Sequence, residues 1–176
     1  KYTPYFSIIF VSDGKIKMQE KKKINFVEKI IVKKHNEMDF GSWKLGINYL
    51  KNKQVENLIL VNDSIIGPFE DIKKLIDGMK QKKFDFWGIT SAGINAEYHI
   101  QSYFLFFTNK CIYSSFFKSF FQSIEKQKSK ADLVKKYEIG LTQGLISNGM
   151  KCGTLVEHFT KDIYSNENCI DLFLKK

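Results

Sequence analysis

The stretch LILVNDSIIGP, residues 58–68, decides how the chain folds, because an apolar run leads directly into Asn62, Asp63 and Ser64. A continuous apolar run that ends in turn residues predicts a buried strand. Such a strand would deliver one carboxylate and two small polar side chains at its carboxyl end. A charge at that point must be paired, hydrogen-bonded or bound to a metal. The stretch therefore raises the question of what Asp63 holds.

Length and composition indicate one folded domain over residues 1–176. The chain is 43% hydrophobic and 27% charged and contains only two prolines, which is typical of a folded protein and not of a disordered one. Sixteen phenylalanines predict an aromatic core. Because residue 1 is a lysine and a strand pattern begins almost at once, we expect a fragment that lacks its first strand, or a trimmed chain.

The formal net charge of +9 comes from lysine alone, since the sequence contains no arginine. Bidentate contacts to bases and phosphates favour the planar guanidinium group, so no nucleic-acid partner is expected. The lysines are scattered in short runs, which favours a solvated basic surface. The alternative is a surface that attracts nucleotide diphosphates or anionic lipid headgroups.

Cysteine usage and hydropathy predict where in the cell the protein acts. Cys111, Cys152 and Cys169 are odd in number, widely spaced and without a CxxC pair, so neither a disulfide framework nor a zinc site is indicated. No apolar run approaches the roughly 18 residues of a membrane span, and the N-terminus lacks a signal-peptide pattern. We expect a cytoplasmic protein that can make peripheral contact with the inner face of the plasma membrane without crossing it.

Strand and helix patterns alternate along the chain. Besides the opening stretch, strands are predicted over 5–12, 28–34, 84–90, 99–108 and 151–156, and helices over 39–53, 70–83, 111–124 and 138–148. Asp39 or Ser42 would cap the first of these helices, and Gly149 would end the last. The alternation predicts an α/β, Rossmann-like domain with a mainly parallel central sheet flanked by helices.

Four polar clusters follow predicted strands or begin helices. They are His35 to Asp39, Asn62 to Ser64, His99 to Ser102, and Glu138 near Gln143. Ligands of parallel α/β sheets gather at the carboxyl ends of the strands. We therefore expect the four clusters to meet at one edge of the sheet.

Two carboxylates in these clusters have a structural and a functional explanation. Asp63 is either an ordinary turn residue or the ligand of a divalent cation that bridges a diphosphate, since such cations take hard oxygen ligands. Asp39 either caps the following helix or, with the backbone amides beside Gly41, lines a sugar or phosphate site. The residues alone leave both alternatives open.

The later clusters leave similar alternatives. His99 is either structural or a ligand, while Gln101 and Ser102 supply the neutral hydrogen-bonding groups that sugar hydroxyls need. Glu138 is either a first-turn acid that satisfies the helix dipole or a base that removes a proton from an acceptor hydroxyl.

Five blocks of sequence, taken together, point to a known family. They are DFGSWKLGINYL, LILVNDSIIGPF, DFWGIT, HIQSYFLFF and EIGLTQGLISNG. In this order they resemble the rhamnan synthesis protein F family of polysaccharide glycosyltransferases, from about Val11 to Val156. Five ordered blocks are far more specific than any one of them.

The resemblance implies a GT-A-like fold and a nucleotide-sugar-dependent, rhamnosyltransferase-like activity in the assembly of cell-surface polysaccharide such as lipopolysaccharide O-antigen. The donor would be dTDP-rhamnose or a similar nucleotide sugar, and the acceptor a glycan or lipid-linked glycan. By the same analogy Asp63 would bind Mg²⁺ or Mn²⁺ and steady the diphosphate, and Glu138 would be the catalytic base of an inverting transfer. Asp39, Asn62, Ser64, His99 and Gln101 would line the donor and acceptor cleft.

Two departures from the family pattern keep a second function open. The acidic motif has one carboxylate, Asp63, so lysine side chains would have to assist in neutralising phosphate. The strand and loop that usually bind the nucleotide base would have to be Tyr5 to Asp13. The alternative function is a non-catalytic glycan- or nucleotide-sugar-binding scaffold domain of a polysaccharide assembly system.

Overall fold

A computed structural model describes residues 5–67, 71–93 and 95–156, in which short strands alternate with helices. The strands are β1 (Ile9–Ser12), β2 (Lys29–Val32), β3 (Asn57–Val61), β4 (Phe86–Gly88), β5 (Ser91–Ala92), β6 (His99–Ile100), β7 (Phe104–Thr108) and β8 (Cys152–Thr154). The α-helices are α1 (Met18–Lys23), α2 (Met38–Leu50), α3 (Ile72–Lys80), α4 (Asn109–Ile112), α5 (Ser115–Gln122), α6 (Lys130–Leu133) and α7 (Gly140–Ser147); a 3₁₀ turn covers Asn95–Glu97 and a π-helix covers Val134–Ile139. The predicted α/β class is confirmed.

The central sheet is mixed, so the prediction of a mainly parallel sheet is wrong. Its strand order is β3-β7-β4-β8, with β7 antiparallel to both β3 and β4 and β8 parallel to β4. The stretch 99–108, predicted as one strand, contains two, because β6 pairs with β5 in a separate ribbon. Parallel neighbours need a long crossover. No α-helix lies between β4 and β7 in the described part of the chain, and β7 returns antiparallel.

Alternating side chains of β7 define the two faces of the sheet. Leu105 and Phe107 pack with α2, α5, α7 and the π-helix, whereas Phe104 and Phe106 pack with α3 on the opposite face. All four side chains are buried. Because successive strand residues point to opposite faces, this one strand supplies aromatic rings to both halves of the core.

The strands β1 and β2 form a separate parallel pair beside α2. A β-carbon at Gly46 of α2 would lie 3.6 Å from Val11 Cγ2, so the helix packs closely on β1. The predicted strand 5–12 is present as β1 over Ile9–Ser12 only, and no residue of β1 is buried. The apolar run YFSIIFVS predicts a buried strand, and this prediction is wrong because a two-stranded pair leaves much of its surface to solvent, with Phe10 39% exposed.

The predicted helix 111–124 is interrupted. It is replaced by α4 and α5, and Ser114 between them caps α5 by accepting a hydrogen bond from the Phe117 N–H (3.2 Å). Serine favours such cap positions over helix interiors. Gly149 has a φ of 77° and ends α7 as predicted. Across the three described ranges, no helix is long and apolar enough to cross a membrane.

Candidate functional site

Asn62 lies at the carboxyl end of β3, where two contacts fix the backbone. The indole Nε1 of Trp43 donates to the carbonyl of Val61 (3.2 Å), and the Asn62 N–H donates to the carbonyl of Tyr103 (3.4 Å). These contacts tie α2 and the start of β7 to the same point at the edge of the sheet.

The Asn62 side chain links α2 to the loop that follows β3. Its Nδ2 donates to Asp39 Oδ2 (3.0 Å), and its Oδ1 accepts from the Ser64 N–H (3.0 Å). The structure therefore brings together three residues that the sequence analysis assigned to the site.

Asp39 is not the cap of α2. The helix begins at Met38 after Glu37, with no side-chain cap, so the predicted caps Asp39 and Ser42 are both wrong. Asp39 is instead the acidic residue of the first turn, where the helix dipole favours a negative charge. Its carboxylate makes no capping hydrogen bond to the backbone of α2 and instead accepts from Asn62.

Glu138 is held by the turn before β7. Its Oε1 accepts hydrogen bonds from the backbone N–H of Ser102 (3.1 Å) and from the Ser102 hydroxyl. Its Oε2 lies 3.6 Å from Nε2 of His99, and the side chains of Glu138 and His99 are only 17% and 11% exposed. Glu138 is therefore a positioned, largely enclosed carboxylate.

The default explanation of Glu138 as a first-turn acid is wrong. It lies in the π-helix, and α7 begins only at Gly140. A π-helical segment inserts an extra residue per turn and is found frequently at functional sites. The insertion here changes the direction of Glu138 relative to the helix that follows.

The proton positions on His99 follow from its partners. Nδ1 lies 2.7 Å from the carbonyl of Glu97. Because a carbonyl oxygen only accepts, Nδ1 carries a proton and Nε2 faces Glu138. A second proton on Nε2 would make His99 and Glu138 an ion pair.

The Asn62 and Glu138 groups lie at the same edge of the sheet. Val61 pairs with Phe104 in the ladder, which places the Ser102–Tyr103 turn beside the end of β3. On the helical side, the rings of Phe40 and Tyr137 lie 5.4 Å apart, next to Asp39 and Glu138 in sequence. Members of all four predicted polar clusters thus meet at this edge, namely Asp39, Asn62, Ser102 and Glu138.

Gln101 belongs to a neighbouring hydrogen-bond chain. The Thr90 hydroxyl donates to Gln101 Oε1 (2.6 Å) and lies 2.6 Å from the Tyr103 hydroxyl. Because the single Thr90 proton is used on Gln101, Tyr103 is the donor of the second bond. Gln101 therefore connects to Thr90 and Tyr103 and not to Glu138.

Asp63 is exposed, and so is Ser64. The strand before them is also less buried than predicted: only Leu60 of β3 is buried, and Val61 is 47% exposed, because β3 lies at an edge of the sheet. Water solvates the Asp63 carboxylate, so the argument that its charge must be paired fails.

The residues around Asp63 do not fit a metal held by protein ligands alone. No group of three His, Cys, Asp or Glu side chains that could hold a metal ion occurs in the described part of the chain. Asn62 has both side-chain polar atoms engaged. The assignment of Mg²⁺ or Mn²⁺ to Asp63 stays a prediction.

Asp13 was missed as a site residue. Its carboxylate follows β1 and accepts hydrogen bonds from the N–H groups of His35 (2.6 Å) and Asn36 (3.1 Å). The N–H of His35 lowers the pKa of Asp13, with further contributions from the N–H of Asn36 and from the positive charge of Lys34. In the sequence, Asp13-Gly14 is an ordinary turn dipeptide, so no sequence signal pointed to this role.

In the loop held by Asp13, the hydrogen bonds of His35 define its tautomer. Nδ1 accepts from the Glu37 N–H (3.0 Å), so the proton is on Nε2, which donates to the Ser42 hydroxyl (3.1 Å). Asn36 and Met38 have positive φ values of 59° and 53°. Asp13 thus stabilises a loop whose backbone is strained at two positions.

A shallow depression of about 500 Å³ adjoins the His99–Glu138 pair. Its lining is formed by Glu97, Lys130, Ala131, Val134, Lys135 and Ile139. Its lining contains two lysines and three apolar side chains, and it does not include His99 or Glu138. The Glu97 carbonyl contacts His99 and Ile139 follows Glu138 in sequence, so the depression lies near the pair.

Comparison with known proteins identifies the family. A family model described as rhamnan synthesis protein F matches residues 8–170. This chain belongs to the rhamnan synthesis protein F family. The resemblance inferred from the five sequence blocks is thereby confirmed, and membership indicates a role in polysaccharide biosynthesis.

Two curated proteins are similar to this chain at low sequence identity. The chain is 25% identical over 154 residues to the uncharacterized protein y4gN of Sinorhizobium fredii, covering 84% of this chain and 40% of the relative. It is 28% identical over 123 residues to the virulence protein VirA of Vibrio anguillarum, covering 66% of this chain and 38% of the relative. The chain therefore spans about two fifths of the length of these relatives.

One solved structure is similar to this rhamnan synthesis protein F chain. The crystal structure of A197 from STIV aligns with 84% of this chain and 79% of its own, at 13% identity and a TM-score of 0.41.

Proposed function

We propose that this domain is part of a nucleotide-sugar-dependent, rhamnosyltransferase-like glycosyltransferase with a GT-A-like fold that acts in the assembly of cell-surface polysaccharide. The observation that carries the proposal is the Glu138 carboxylate, enclosed at the sheet edge, fixed by Ser102 and faced by His99. Family membership supports the polysaccharide context.

Glu138 acts as the general base in this proposal. Oε1 is engaged by Ser102, so Oε2 takes the proton of the acceptor hydroxyl as its oxygen attacks the anomeric carbon. The bond from that carbon to the diphosphate oxygen breaks in the same step, and the nucleoside diphosphate leaves with the bond electrons. Direct displacement of this kind inverts the anomeric configuration. His99 is a positioning residue that orients the carboxylate when its Nε2 carries a second proton.

The remaining predicted site residues bind the donor and acceptor. Asp39 and Asn62 lie at the end of β3 as a hydrogen-bonded pair, and Ser64 and Gln101 add groups that match sugar hydroxyls. The leaving diphosphate needs positive charge. We assign this to Lys130 and Lys135 of the depression, and the predicted Asp63 cation would add to it when bound.

The proposal is tested by separating binding from transfer. Calorimetric titration with dTDP, UDP and GDP, each with and without Mg²⁺ or Mn²⁺, identifies the nucleotide, and a transfer assay with the matching nucleotide sugar measures turnover. Glu138→Gln keeps an oxygen acceptor for Ser102, so nucleotide affinity should stay within about twofold while transfer falls at least roughly 100-fold. Asp63→Ala should remove any cation dependence of binding.

Glu125→Gln is the matched control. It removes an exposed carboxylate that pairs with Lys136 outside the proposed site, and it should leave transfer unchanged. Normal transfer by a folded Glu138→Gln protein would exclude Glu138 as the base.

A second function is a non-catalytic glycan- or nucleotide-sugar-binding scaffold. The observation that favours it is the exposed Asp63, which has no neighbouring carboxylate in the acidic motif. This function predicts nucleotide or glycan binding without turnover, and equal binding by wild type and Glu138→Gln.

A further inference from the structure

A basic segment connects β1 to β2. It covers residues 15–26 and includes the short helix α1. Its lysines, all exposed, are Lys15, Lys17, Lys21, Lys22 and Lys23. The single acid is Glu20, whose carboxylate accepts from the backbone N–H of Lys17 (2.7 Å). The segment therefore concentrates five positive charges over nine residues.

The carboxylates of the described residues do not pair with these charges. In the described ranges, none of the five ammonium groups lies within 4.0 Å of a carboxylate, whereas lysines elsewhere do pair, as Lys73 with Asp77 and Lys110 with Asp85. An external anionic partner would consequently gain the full attraction of the basic segment.

Apolar side chains stand exposed among the lysines. Met18 is 76% exposed and Phe26 is 54% exposed, while Ile16, Ile24 and Val27 are partly buried and anchor the segment. No residue of α1 is buried. Met18 and Phe26 therefore contribute little to the core and are placed to contact an apolar phase outside the protein.

We propose that the basic segment docks on a bilayer surface that contains anionic lipids. Lysines near such a surface are attracted by its negative potential, and apolar side chains between them insert at the headgroup boundary. Charge complementarity selects an anionic partner, and the residue types favour lipid over nucleic acid. The sequence has no arginine, and the exposed Met18 and Phe26 suit an apolar phase better than phosphates.

The position of the basic segment relates docking to the candidate site. Gly14, its neighbour in sequence, directly follows Asp13, whose carboxylate holds the loop before α2. Docking through residues 15–26 would keep that edge of the molecule close to the lipid surface.

The test is sedimentation with two kinds of vesicle at about 0.1 M salt. One kind contains phosphatidylcholine alone, and the other contains phosphatidylcholine mixed with roughly 30% phosphatidylserine. The wild-type protein should bind only the vesicles with phosphatidylserine. The triple variant Lys21→Gln, Lys22→Gln, Lys23→Gln should bind about 5-fold less per lysine, or roughly 100-fold less overall. The double variant Met18→Ser, Phe26→Ser should also bind less, with its charge unchanged.

A matched triple variant controls for net charge. Lys74→Gln, Lys82→Gln and Lys126→Gln remove the same charge from exposed positions outside the basic segment and should bind nearly as wild type. Equal losses in both triple variants would overturn the proposal, and so would wild-type binding that ignores phosphatidylserine. Binding to labelled single-stranded RNA that is at least as tight, and insensitive to Met18→Ser, Phe26→Ser, would also overturn it. Urea unfolding of each variant verifies the fold.

Discussion

At position 41 the loop before α2 leaves no room for a side chain. A β-carbon there would lie 2.4 Å from His35 Nδ1 and 2.4 Å from Glu37 Cβ. Both neighbours are fixed, because His35 Nδ1 accepts from the Glu37 N–H. Gly41 thus permits the close approach of the loop that Asp13 holds to the first turn of α2.

Gly41→Ala should therefore destabilise the protein by about 1–3 kcal/mol, since overpacking forces the loop to move. Gly78→Ala in α3 is the control, because a β-carbon at Gly78 meets nothing within 4 Å. Alanine is the better helix former by roughly 0.5–1 kcal/mol, so this control should be stabilised. Urea unfolding measures both, and equal effects would contradict the account of Gly41.

Asp13 should make stability depend on acid pH. Its pKa is lowered in the folded state, chiefly by the N–H of His35, so its contribution is present above the unfolded pKa of about 4 and is lost as pH falls through the folded pKa. Asp13→Asn keeps the shape and removes the charge. It should be less stable than wild type at pH 7, and the difference should shrink below about pH 4. A difference that does not change with pH would rule out a role for the charge.

Among the elements, the types were predictable and the interruptions were not. The β-branched and aromatic run of 99–108 indicated a strand correctly, but the turn at Ser102 and Tyr103 inside it divides β6, which pairs with β5, from β7, which pairs with β3 and β4. The helical pattern around Glu138 was also correct, yet an extra π-helical residue has no signature in apolar spacing. Both failures fall on residues of the candidate site.

The site was predictable to the extent that it depends on strand ends. Asp39, Asn62 and Ser64 were placed together because β3 ends where predicted. The sequence could not predict the exposure of Asp63, which depends on β3 being an edge strand. Nor could it predict the link between Ser102 and Glu138, because that contact spans 36 positions and depends on the register of packing.

The break between α4 and α5 can be tested by the cap residue. Ser114→Ala should destabilise the protein by about 1 kcal/mol, because the Phe117 N–H loses its acceptor. Ser119→Ala, at an exposed position inside α5, should be neutral within about 0.5 kcal/mol. If one helix ran through this region, alanine at position 114 would be neutral or stabilising. Chemical denaturation of the two variants separates these cases.

For the whole molecule, β7 joins both parts of the core and β1–β2 lies apart from them. Leu105 and Phe107 belong to one hydrophobic cluster and Phe104 and Phe106 to the other, so neither cluster is complete without β7. The β1–β2 pair has no buried residue in β1, and each strand has one partner within residues 5–67, 71–93 and 95–156. Stability should consequently differ strongly between the two regions.

Native-state hydrogen exchange should reveal this difference. Hydrogen-bonded amides of β7 should exchange only through global unfolding, whereas those of β1 and β2 should exchange through a partial opening of lower free energy. The measurement is exchange followed at increasing low concentrations of denaturant. Equal opening free energies for β1 and β7 would contradict this division.

The strand order also governs when the sheet can form during synthesis. Neither β3 nor β4 pairs with the other, and their partners β7 and β8 come later in the chain. Until residues 104–108 have left the ribosome, β3 and β4 have no partner among the described strands of the central sheet. The nascent chain therefore carries LILV and FWG as unpaired strands until β7 emerges, a period in which such segments tend to self-associate.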